Sequence, residues 1–121
     1  LGFGLMAFLD AESVMGFSLF AQEAELRRRV RDAGLVITGE GCLNQQSLMG
    51  KGVGELVALC EGLRIPCIAM CGQVEFSQMI RDCLGGVYSM STLTEPLQAL
   101  NRPAHWLAKV ATKAASDFSA R

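Results

Sequence analysis

Between Leu35 and Lys51 the chain gathers one carboxylate (Glu40), three side-chain amides (Asn44, Gln45, Gln46), two hydroxyls (Thr38, Ser47), one thiol (Cys42) and one ammonium group (Lys51). Gly39 and Gly41 flank Glu40, and glycine lets a backbone turn sharply and approach a ligand closely. A carboxylate there can hold a cation through oxygen, orient a substrate hydroxyl or accept its proton. It can equally cap a helix or pair with a lysine. The amides and the Ser47 hydroxyl can hydrogen-bond the carboxylate and hydroxyls of a small polyol acid, or simply face water. Gly50-Lys51 at a helix start offers N–H groups, the positive end of the dipole and a mobile charge, which suits phosphate. An exposed surface lysine is the plain alternative. The pair is not a Walker A loop, since the first glycine and the Lys-Ser/Thr pair are missing.

Further along, Gly72, Gln73 and Ser77 follow a second apolar run, and Thr92 and Thr94 follow a third. If these runs are parallel strands, their C-terminal ends lie on one side and line one cleft. Other chemistries lack the residues. The single histidine, His105, has no partner for a Ser-His-Asp or Cys-His set. It is also far in sequence from Cys67-x-x-x-Cys71, so a zinc site is not expected. The six methionines read as core fillers.

The elements that must position these groups follow from periodicity. Residues 5–9 read as a buried helical segment, and residues 10–16 as a connection. Residues 18–32 read as one helix with Ser18 as its N-cap, ended by Ala33-Gly34. The run 35–38 reads as a strand covered on both faces, and 39–49 as an eleven-residue loop, long enough to carry function. A helix is expected over 51–63, with Val53, Leu56, Val57, Leu59 and Cys60 inward. A strand follows over 65–72, a helix over 76–84, a strand over 87–90, a turn, a brief helix from Glu95-Pro96 and a last helix over 104–118. Alternating strands and helices imply right-handed βαβ units and a parallel sheet.

The chain has 121 residues, enough for about one domain. Half are hydrophobic and 19% are charged, which supports a core. Net charge is −1, and the cations at Arg27-Arg28-Arg29 sit beside Glu23 and Glu25, so no nucleic-acid partner is expected. Five cysteines with no CxxC pair fit reduced thiols in a cytoplasmic protein. The apolar opening Leu1-Gly2-Phe3-Gly4-Leu5-Met6-Ala7-Phe8-Leu9 lacks a basic leader and is too short to span a bilayer. It reads as a core helix at the cut end of something longer.

The run Ile37-Thr38-Gly39-Glu40-Gly41, followed by Asn44, Gln46-Ser47 and Gly50-Lys51, resembles the ITGEG-x-x-D-x-Q-S/T-x-x-GK signature of the type I glycerate kinase family. The resemblance extends further. The opening glycine-rich run is similar to the family's GGLG segment, residues 33–41 to its ADLVITGEG strand, and Ile65-Pro66-Cys67-Ile68-Ala69-Met70-Cys71-Gly72 to its IPVIALAG strand. Most of the chain is covered, in order, by the C-terminal part of a longer protein with two α/β domains around a cleft.

The resemblance implies a fold class: α/β, a Rossmann-like parallel sheet with flanking helices, with residues 1–121 as a single α/β region of a larger two-domain protein. It also implies a kinase that moves the γ-phosphoryl group of ATP, with Mg²⁺, to a hydroxyl of glycerate or a related small hydroxy acid. Carried over by position, Glu40, Asn44 and Lys51 take catalytic roles. Thr38, Gly39, Gly41, Gln46, Ser47, Gly50 and Gly72 bind substrate. No dedicated metal site is assigned, no membrane partner is expected, and a thin sheet with open edges makes a homodimer a further expectation. Two motif positions depart: Cys42 stands for the usual Arg and Asn44 for the usual Asp, and Gly52-Val53-Gly54-Glu55 lacks the common proline. Asn cannot act as a general base, and losing Arg removes a fixed positive fork. The alternative is therefore a non-catalytic α/β module derived from that family, binding a small anion or docking a partner.

Overall fold

The structure, a computed structural model, describes residues 1–49, 52–75 and 78–119. Three helices open the chain: α1 (Gly2–Leu9), α2 (Gly16–Glu23) and α3 (Leu26–Arg31). Then come β1 (Val36–Leu43), the short α4 (Gln45–Leu48), α5 (Gly52–Leu63), β2 (Cys67–Val74), α6 (Gln78–Cys83) and β3 (Gly86–Ser89). A 3₁₀ turn (Met90–Thr92), α7 (Pro96–Asn101) and α8 (Pro103–Ser119) complete it. The sheet is parallel with β2 in the middle, in the order β1-β2-β3. This is the expected α/β arrangement of parallel strands with flanking helices.

Apolar residues of α3, α5 and α6 (Val30, Val57, Cys60, Ile80) pack on Cys67, Ala69 and Cys71 of β2. On α8, Val110 and Ala114 are buried, while Leu107 of the same helix and Ile37 of β1 remain exposed. The core thus sits between the sheet and the α3/α5/α6 layer, and the α8 side is only partly covered.

Several expectations change. Residues 18–32 form two helices, because Glu25 adopts a left-handed φ of 47° that no continuous helix allows. Ser18 is not the N-cap: α2 starts at Gly16 after Met15, without a side-chain cap. The opening helix forms but buries none of its residues; Phe3 is 79% and Phe8 85% exposed. Apolar composition made it read as core, but burial requires a neighbouring element. The eleven-residue loop is shorter than expected, since pairing with Met70–Val74 carries β1 on to Leu43.

The strands also turn over along their length. Val36 and Leu43 are seven positions apart, which places them on opposite faces of a regular strand. Both nevertheless pack on the same core, as do Cys71 and Val74 three apart on β2. In β1 the alternation of exposure holds from Val36 to Gly41 and breaks at Cys42, and in β2 the change falls between Cys71 and Val74.

Candidate functional site

Three of the expected site residues on β1 (Thr38, Gly39, Glu40) and Gly72 on β2 border one cavity of about 500 Å³, with Met90 and Leu107 on its other side. Close backbone approach builds this wall. A Cβ on Gly39 would lie far inside van der Waals contact distance of the Met70 carbonyl oxygen, and one on Gly72 would sit 2.6 Å from the Gly41 carbonyl oxygen. Any side chain there pushes β1 and β2 apart. Gly41 itself has open space around it.

Glu40 pairs in register with Cys71, and Cys71 with Ser89, so the three form one row across the sheet. Glu40 is only partly exposed. Its Oε1 is buried and, among the described residues, has no hydrogen-bond partner. A buried carboxylate oxygen left unpaired is costly, so this atom is suited to a ligand hydroxyl, a cation or a water molecule. Burial pushes the Cys71 thiol above its ordinary value, with the charges of Cys42 and Glu40 adding in the same direction.

Beyond β1, Asn44 caps α4. Its Oδ1 accepts from the Gln46 N–H at 3.0 Å and the Ser47 N–H at 3.3 Å, and its own N–H donates to Ser47 Oγ at 3.2 Å. This reciprocal capping box explains the local fold, and it engages both side chains that sequence assigned to ligand. Ser47 is buried. Gln46 is exposed and only its backbone takes part. Gly50, Lys51 and Ser77 lie outside the described residues. Gln73 is exposed opposite Cys42.

The threonines after β3 go elsewhere. Thr92 donates its hydroxyl to the Ser89 carbonyl at 2.7 Å and borders a separate cavity of about 340 Å³ with Tyr88 and Lys113. The Leu93 N–H closes the 3₁₀ turn on the Met90 carbonyl, and the Thr94 N–H donates to the same carbonyl at 3.0 Å. Sequence reasoning missed Ser89, whose buried hydroxyl donates to the Gly72 carbonyl of β2 at 3.0 Å. A serine ending an apolar strand was its only signal. Met90 and Leu107, the far wall, gave none, because long-range packing brings them there. Among the described residues no three acidic, thiol or imidazole groups converge on a metal position, and no helix is long and apolar enough to cross a membrane.

The model of the glycerate kinase family matches residues 1–119. An uncharacterized protein of Synechocystis is 33% identical over 104 residues, 85% of this chain and 28% of its own length. A glycerate kinase of Halalkalibacterium halodurans is 39% identical over 74 residues, 61% of this chain and 20% of its own. A glycerate kinase of Neisseria meningitidis is 33% identical over 98 residues, 78% and 26% respectively. The chain therefore spans less than a third of the length of these relatives. With a family match that spans residues 1–119, the chain belongs to the glycerate kinase family.

Proposed function

We propose that this stretch serves a glycerate kinase-like phosphotransferase, which transfers the terminal phosphoryl group of ATP to a hydroxyl of glycerate or a related small hydroxy acid in the cytoplasm. The observation that carries the reading is the unpartnered, buried Oε1 of Glu40, a residue that borders the cavity shared with Thr38, Gly39 and Gly72. Family membership and two relatives named glycerate kinase support it.

Glu40 would take the acceptor hydroxyl, orienting it and drawing off its proton, or supply one oxygen to Mg²⁺. One protein carboxylate fits that ion, which commonly takes its remaining ligands from phosphate and water. When bound, Mg²⁺ neutralises charge on the transferring phosphate. Asn44 would hold the turn in shape through its cap and offer its amide to the substrate. Gln46 would reach the substrate from its exposed position, with Ser47 contributing chiefly through the cap. Gly50 and Lys51, just before α5, would hold phosphate or the substrate carboxylate. Phosphoryl transfer asks mainly for such positioning and charge stabilisation.

The departures at Cys42 and Asn44 favour a second reading, a module that binds a small anion without turnover. Assaying the complete protein with MgATP and glycerate separates the two. ADP release that depends on the hydroxy acid supports the kinase. Ligand affinity without ADP release supports the module.

A further inference from the structure

β2 runs on past the end of β3. Its pairing with β3 stops at Cys71 and Ser89, while its pairing with β1 continues through Gln73 and Val74. Among the described residues, the edge of β2 that faces β3 therefore has no strand beside it after Cys71, and a backbone carbonyl there needs another donor. Ser89 supplies one. The residue is 2% exposed, and its hydroxyl donates to the Gly72 carbonyl at 3.0 Å.

Neighbouring groups hold that hydroxyl in one orientation. A serine oxygen has one proton and two lone pairs. With the proton on Gly72, the lone pairs take the Ser91 N–H at 3.2 Å and the Ser91 hydroxyl at 2.7 Å. The Ser89 carbonyl accepts from the Thr92 hydroxyl at 2.7 Å. Ser89 is thus tied through side chain and backbone to the 3₁₀ turn that it caps.

Gly72 is confined on its other side by Gly41. A Cβ at Gly72 would sit 2.6 Å from the Gly41 carbonyl oxygen, so the two backbones lie against each other. Gly41 directly follows Glu40. Ser89 itself sits two strands from Glu40 in the row Glu40, Cys71, Ser89, or about 10 Å by strand spacing. It can act on Glu40 only through Gly72 and Gly41.

We infer that Ser89 is a positioning residue of the candidate site: by holding the Gly72 carbonyl it keeps Gly72 seated against Gly41 and so sets where Glu40 presents its carboxylate. This role rests on the proposed use of Glu40 by a ligand.

The test is carbon-13 and nitrogen-15 NMR of the full chain at fixed pH. Wild type is compared with Ser89→Ala for the Gly72 carbonyl, the Gly41 amide and the Glu40 carboxyl carbon. All three signals should shift, while the methyl signals of Val57 and Ile80 in the core stay in place. Ser89→Cys, close in size and only a weak donor, should move the same signals in the same direction, and it serves where Ser89→Ala does not fold. Ser91→Ala, which leaves the Ser89 proton on Gly72, should keep the wild-type positions. A shift of Gly72 with Gly41 and Glu40 unchanged overturns the inference and leaves Ser89 a local cap. Core methyl signals that move as far as Glu40 overturn it too. In hydroxy-acid-dependent ADP release, Ser89→Ala should lower kcat about 10-fold, the equivalent of one ordinary hydrogen bond. KM should change by less than about twofold, as expected for a residue that orients rather than binds. A wild-type protein that releases no ADP counts against the kinase reading alone, because the NMR comparison needs no turnover.

Discussion

Asn44 and Ser47 satisfy one another: the Asn44 side chain accepts from the Ser47 N–H at 3.3 Å, and Ser47 Oγ accepts from the Asn44 N–H at 3.2 Å. Asp and Asn cap helices about equally well. The departure at this position therefore keeps the local geometry while removing a negative charge. Asn44→Asp should leave stability unchanged and, in a complete enzyme, raise turnover if the site is a weakened kinase. Asn44→Ala should cost about 1 kcal/mol, read from the urea midpoint. An equal effect of both substitutions on stability would mean that the cap contributes nothing.

Glu40→Gln keeps the shape of the side chain and removes its basicity. In the complete protein it should lower hydroxy-acid-dependent ADP release by about 100-fold or more, the usual contribution of a positioned acid or base, while the circular dichroism spectrum stays the same. Lys51→Ala should also cut turnover sharply. Near-normal kinetics in either variant would remove that residue from the proposed machinery.

Gly39→Ala tests the approach of β1 to β2. The added methyl group meets the Met70 carbonyl, which is backbone and cannot swing aside. A loss of about 3 kcal/mol or more is expected, at the upper end of overpacking effects. Gly41→Ala, with open space around it, serves as the control and should be far milder. Matching urea midpoints for the two variants would show that the strands can separate at little cost.

Arg64 ends α5 with a φ of 57°, its N–H bonded to the Glu61 carbonyl at 3.0 Å. A left-handed conformation disfavours any residue with a Cβ by about 1–2 kcal/mol, and helices commonly stop here on glycine. Part of that gain is offset by the greater freedom of glycine in the unfolded chain. Arg64→Gly should therefore raise the urea midpoint by the equivalent of about 0.5–1 kcal/mol, with an unchanged denaturant slope.

Cys67 links stability to pH. Burial first, and its neighbour Cys60 second, raise its thiol from 9.0 to about 12. Because the folded value lies above the unfolded one, the folded state holds the proton more tightly. The stabilisation is complete below pH 9.0 and is lost as pH climbs toward about 12. Other groups titrate in that window, so the comparison of interest is wild type against Cys67→Val. The variant should lose less stability across it.

The strands were legible because Val36-Ile37, Ile65-Pro66-Cys67-Ile68 and Val87-Tyr88 are compact apolar runs bounded by glycine or proline. Their ends were not. Glycines usually stop a strand, yet β1 continues through Gly39, paired with Met70, and past Gly41 to Cys42 and Leu43, paired with Gln73 and Val74. Glu25 broke a helix whose periodicity ran straight through it, since backbone sign is not written in hydrophobic spacing. Sequence pointed to Glu40 through the family motif and to Gly72 through its place at the end of an apolar run; the structure sets both beside one cavity, but inside β1 and β2 rather than after them. The roles of Asn44 and Ser47 as a cap were also readable in principle from their three-residue separation. Met90, Leu107 and the diversion of Thr92 were not, because each depends on how the 3₁₀ turn and α8 fold back.

The placement of β2 between its two neighbours has a consequence for how the molecule breathes. Ile68–Cys71 of β2 have a paired strand on each side, so deuterium should enter the amides of this stretch last. Among the described residues β1 has a strand on one flank only. Glu40 thus rides on the more yielding wall of the cavity and Gly72 on the stiffer one, so an incoming ligand would meet a hinge on one side and an anvil on the other.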